Sequence, residues 1–122
     1  MKVFDRVFCC LLILGGVGHS LGSFKAYSAK PDELLWSLCA SLFVFMLGTV
    51  NLVRAGRAGD SALGWVTLVF NLCWLAAVIQ FGRVIGNLLD PRAIFFAIIT
   101  LVLAAMSWRS IAAGRGGVSG RR

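Results

Sequence analysis

Acidic side chains are scarce in this chain, and none lies deep inside an apolar stretch. There are five, Asp5, Asp32, Glu33, Asp60 and Asp90, all near segment ends. A catalytic pair of carboxylates within a span is thereby excluded. Histidine occurs once, as His19, which is too few nitrogen ligands for a zinc or haem centre. Cys9, Cys10, Cys39 and Cys73 show no C-x-x-C spacing and read as small buried hydrophobes. No metal or other cofactor is expected. Charged residues make up only 14% of the chain, well short of a soluble domain's usual share of about 25%. The alternation of a membrane β-strand is absent, which excludes a barrel. No G-x-S-x-G turn is present, and no carboxylate is placed to orient His19 beside Ser20 or Ser23. The chain reads as a non-enzyme.

What the sequence does hold is apolar length. Four stretches, near 4–24, 34–54, 62–82 and 92–112, each approach the roughly 20 residues that cross a bilayer as a helix. The expected fold is therefore all-α, an integral membrane four-helix transmembrane bundle over 1–113. A basic, glycine-rich tail, 114–122, is expected to be disordered and to meet anionic lipid. Lys2, Arg6 and the apolar run after them resemble a signal peptide. Asp5 in the charged region and His19 beside the small residues favour a retained first helix.

The net charge of +7 is spread over helix ends, without the basic stripe that nucleic acid requires. It reads as topology instead. Lys2, Arg6, Arg54, Arg57, Arg109, Arg115, Arg121 and Arg122 fall on one side, against Lys25, Lys30, Arg83 and Arg92 on the other. The positive-inside rule then places both termini and the Arg54–Asp60 loop in the cytoplasm of a multi-pass protein, in a bacterial inner membrane. In size alone the chain is similar to the small multidrug exporters. Its first helix lacks their membrane-embedded glutamate, so that likeness implies no cation export.

Small and polar residues mark the faces expected to pack. Gly15, Gly18 and Gly22 share a face of the first helix, and Gly18 with Gly22 forms a G-x-x-x-G pair that would admit a neighbouring backbone. Gly48 and Asn51 lie on a stripe with Ser37, Ser41 and Val44, and Asn71 sits near the middle of the third span, where it needs a partner. Gly18-His19-Ser20-Leu21-Gly22-Ser23 also echoes Gly82-Arg83-Val84-Ile85-Gly86-Asn87, each followed by a proline that opens the next helix. If that echo is a repeat, His19, Ser20, Ser23, Gln80, Arg83, Asn87 and Asp90 would gather at the outer side as a pocket for a lipid or small anionic solute. The principal reading is a structural or interaction module of the membrane. Its expected partners are membrane lipids, a second copy or other membrane proteins.

Overall fold

A backbone in hydrocarbon must satisfy its own polar groups, so long apolar runs are committed to helix. The computed structural model describes the backbone of residues 2–119 and the side chains of residues 2–115. It is all-helical there: α1 (Lys2–Tyr27), α2 (Pro31–Gly56), α3 (Ser61–Val84) and α4 (Pro91–Ser119). All four are long and apolar enough to cross a membrane. Of the segment read as a tail, residues up to 119 continue α4, and 120–122 lie outside the described residues.

The helix starts follow local chemistry. Pro31 and Pro91 open α2 and α4, where a missing N–H costs nothing. Asp60 caps α3, its Oδ1 accepting from the Leu63 N–H at 3.0 Å. The end of α3 is set by Gly86, whose φ of +69° favours glycine, while the Asn87 N–H donates back to the Gly82 carbonyl at 2.9 Å.

Short turns make α1–α2 and α3–α4 antiparallel hairpins, which meet through α1 with α4 and α2 with α3. One end of the bundle, the near end, is where α1 starts, α2 turns into α3 and α4 finishes. The far end holds the two hairpin turns. Cys9 and Leu12 of α1, Val44 and Leu47 of α2, Val78 of α3, and Phe96, Ile99 and Leu103 of α4 form the core. Phe43 stacks on Trp74 and Trp74 meets Phe96 edge-on, filling the wider gap between hairpins. Large apolar side chains such as Leu14, Leu42, Phe70 and Leu101 cover the outside, as lipid requires.

The close approaches run through glycines, though not through the G-x-x-x-G pair. A Cβ at Gly15 would lie 2.7 Å from the Phe95 ring, and one at Gly48 would lie 2.5 Å from Ile13. At Gly64 it would press on Ile111 at 2.8 Å and on the α4 backbone at 3.2 Å. Gly18 and Gly22 have nothing within 4 Å of such a Cβ. The expected seam at Gly18 and Gly22 is thus corrected. A helix turns 100° per residue, and the face that meets α2 and α4 runs through Gly15 and Gly16, leaving Gly18 and Gly22 turned outward.

Candidate functional site

Apart from Thr100, which bonds the Phe96 carbonyl of its own helix, the buried polar residues linked between helices form two groups at different depths. The larger lies in the near half and touches all four helices. Asp5, in the first turn of α1, faces Arg54, near the end of α2, because an antiparallel hairpin brings those ends level. Arg54 is 1% exposed and grips the carboxylate with both terminal nitrogens, Nη2 donating to Oδ1 at 2.6 Å and Nη1 to Oδ2 at 3.1 Å. Such bidentate, charge-assisted pairing is the strong form of the contact. Nη1 also donates to Ser110 Oγ at 3.3 Å, and Nε to Asn51 Oδ1 at 3.4 Å. Four of the five guanidinium N–H donors are thereby engaged.

Asn51 carries the chain of bonds onward. Its amide and that of Asn71 exchange two bonds at 3.2 Å, α2 to α3. Asn71 Nδ2 further donates to Ser107 Oγ at 3.4 Å, reaching α4. Ser107 has one proton, which goes to the Leu103 carbonyl at 2.8 Å. Its oxygen therefore accepts from Thr67 Oγ1, 2.9 Å away. Asn51, Thr67, Asn71 and Ser107 are each 0% exposed. Every side chain in this set has a partner, which is the condition under which a buried polar network rigidifies a bundle.

The second group lies in the far half and joins α1 to α2 only. His19 Nδ1 is 2.8 Å from Ser41 Oγ, and Ser23 Oγ is 2.6 Å from Ser37 Oγ. Ser23 Oγ also donates to the His19 carbonyl at 2.7 Å, and Ser20 Oγ to the Gly16 carbonyl at 3.0 Å. Each step of four along α1 is matched by a step of four back along α2. Followed to the near end, that antiparallel register brings Asp5 level with the last turn of α2, one residue from Arg54.

The outer pocket expected from sequence is not gathered among the described residues. Gln80 and Arg83 are exposed on α3, apart from the His19 pairing. Asn87 would lie one turn along the same face from Arg83 if the helix continued. The helix stops at Val84, and Asn87 Oδ1 instead accepts from the Leu89 N–H at 3.0 Å, turning the chain. Asp90 pairs with Arg92 through two bonds of 2.9 Å, not with Arg83. That guanidinium draws the Asp90 carboxyl down from its ordinary 3.8 to about 2. The echo between the two glycine segments ends here as well, since Gly22 lies within α1 and Gly86 lies in a turn beyond α3.

Sequence reasoning marked Asn51 and Asn71 but missed Asp5 with Arg54 as a pair, reading both as interfacial charges. The signal was an acid and a base at level positions of consecutive antiparallel helices. At the near end a cavity of about 180 Å³ opens beside that pair. Among the described residues, no group of three histidine, cysteine or carboxylate side chains stands close enough to hold a metal ion. Comparison with family models, curated proteins and solved structures returns no match.

Proposed function

We propose that this chain is a non-enzymatic structural or interaction module of a cell membrane, self-associating or held in a complex with other membrane proteins. Both termini face the cytoplasm, in keeping with the eight-to-four division of basic residues, and a bacterial inner membrane is its setting. The observation that carries the reading is the near-half network. Asp5, Arg54, Asn51, Asn71, Ser107 and Thr67 are spent on one another across all four helices. Polar groups built for turnover or passage need to change partners, whereas these are closed. What the bundle then offers its surroundings is its apolar outer surface, the surface of a scaffold.

Photocross-linking in native membranes, with a reactive residue at outward positions such as Leu14, Leu42 and Leu101, tests this. The expected result is one defined adduct, a dimer of the chain or a membrane protein in fixed stoichiometry, from a subset of the positions. A ladder of weak products from every position, in the ratio of membrane abundance, contradicts it.

A further inference from the structure

One amide within the spans is left out of both polar groups. Inside the end turns of the four helices, every other amide and hydroxyl among the described residues is hydrogen-bonded, across the bundle or to a carbonyl one turn back. Gln80 has no such bond among the described residues, and it is exposed. It lies nine residues beyond Asn71 on α3, which is two and a half turns at 100° per residue. The side chain therefore points directly away from the buried network. Depth makes that exposure costly. Trp65 and Trp108 meet edge-on at the near end, both half-exposed, where tryptophans mark the edge of the hydrocarbon. The fifteen residues from Trp65 to Gln80 span about 22 Å of helix, still inside a hydrocarbon core about 30 Å thick. A helical Cβ tilts toward the helix N-terminus, which for α3 is the near end. The amide is thus aimed into the bilayer rather than toward the outer headgroups, and an amide without a partner in hydrocarbon is unfavourable.

The surroundings of Gln80 suit a helix as the missing partner. Cys73, Ala76 and Ala77 lie within about 60° of it around α3, and all are exposed. Small side chains beside a polar one let helices approach and bond in lipid. An amide both donates and accepts, so two copies of Gln80 related by a two-fold axis satisfy each other. The chain already uses that exchange inside the bundle, where Asn51 and Asn71 pair between α2 and α3. A partner of different sequence would have to bring its own polar group to the same depth. Arg83 lies about 60° to the side of Gln80 and in the last turn, so like charges are not forced together. We propose that α3 pairs with α3 of a second copy along Cys73, Ala76, Ala77 and Gln80, the two Gln80 amides bonding across the interface. This rests on the scaffold reading and names its partner and its surface.

The cysteines of the chain supply the first test. Cys10, Cys39 and Cys73 are exposed on three different helices, and Cys9 is buried. Full-length chains that keep Cys9 and one exposed cysteine are oxidised in vesicles of phosphatidylglycerol and phosphatidylcholine. The chain with Cys73 is expected to form a covalent dimer, and those with Cys10 or Cys39 to stay monomeric. In the same vesicles, energy transfer between C-terminally labelled chains diluted into lipid gives the monomer–dimer midpoint. Interhelical amide bonds in lipid change association by roughly 3- to 30-fold. Gln80→Leu is expected to weaken dimerisation by that factor, and Ala76→Phe, which fills the contact, by at least as much. Gly22→Leu, on the outward glycines of α1, is expected to leave the midpoint unchanged. A monomer at every dilution, a midpoint indifferent to Gln80→Leu, or loss on Gly22→Leu alone overturns the proposal. A defined adduct with another membrane protein at Leu14, Leu42 or Leu101, without a Cys73 dimer, overturns it while the scaffold reading stands. An unselective ladder at those positions without a Cys73 dimer overturns both.

Discussion

Arg54 shows how far a single side chain's role depends on azimuth as well as depth. By position along α2 it is an end-of-span arginine, and its charge counts toward topology. In the fold it turns inward, buried against Asp5, because an acid one turn into α1 stands level with it. Charge counting gives the depth of both residues but not the direction in which either points, so their level positions on consecutive helices hinted at the pair without deciding it. Asp90 makes the complementary case at the far end, where its partner Arg92 lies two residues away. The folded carboxyl is held at about 2 against an ordinary 3.8, so the ionised form is favoured by folding. Its contribution is present above the ordinary value and is lost as pH falls toward 2. Amide exchange at Leu89 and Arg92, corrected for intrinsic rate, is expected to show constant protection above about pH 5 and weakening only below the ordinary carboxylate range. Protection that falls between pH 7 and pH 5 would contradict the pairing.

At the scale of elements, the four helices were plainly legible. Apolar length located them, and the prolines Pro31 and Pro91 marked two of their starts. What periodicity did not settle was which small residues lie against a neighbour. Gly18 and Gly22 satisfy the spacing rule yet face away, while Gly15, Gly48 and Gly64 meet side chains within 3 Å of an added methyl. The spacing defines a face, and only the partner helix decides whether that face is used. Gly64→Ala is expected to cost about 1–3 kcal/mol, since the α4 backbone beside it cannot step aside. Gly18→Ala is expected to fall within about 0.5 kcal/mol of the parent. Unfolding by steric trapping in bicelles measures both, and equal costs would mean that the packing seam is misplaced. The far-end pocket failed in sequence terms for a similar reason. Placing Gln80, Arg83 and Asn87 on one face required a helix that Gly86 ends.

For the whole molecule, hydropathy carried the architecture, whereas the contacts that tie the two hairpins together depended on residues far apart in sequence. Asn51 was recognisable on a stripe of small and polar residues, and Asn71 as a mid-span polar group in need of a partner. Their joining into one path from α1 to α4 needed the bundle's lateral order. Orientation in the bilayer is a separate property, set by the basic residues. A cysteine introduced at Ala29, in an otherwise cysteine-free chain, is expected to react with an impermeant reagent only from the outside, and labelling only from the cytoplasm would reverse the topology. The central claim is that the near-half network locks the bundle as a unit through Asp5 and Arg54. It is tested most directly by a double-mutant cycle of Asp5→Asn and Arg54→Met, read as unfolding free energy in bicelles. Each single substitution strands a buried partner and is expected to cost about 3–5 kcal/mol. The double variant is expected to cost less than their sum by about 2 kcal/mol or more. Costs that add to within about 0.5 kcal/mol would show two independent interfacial charges and contradict the lock.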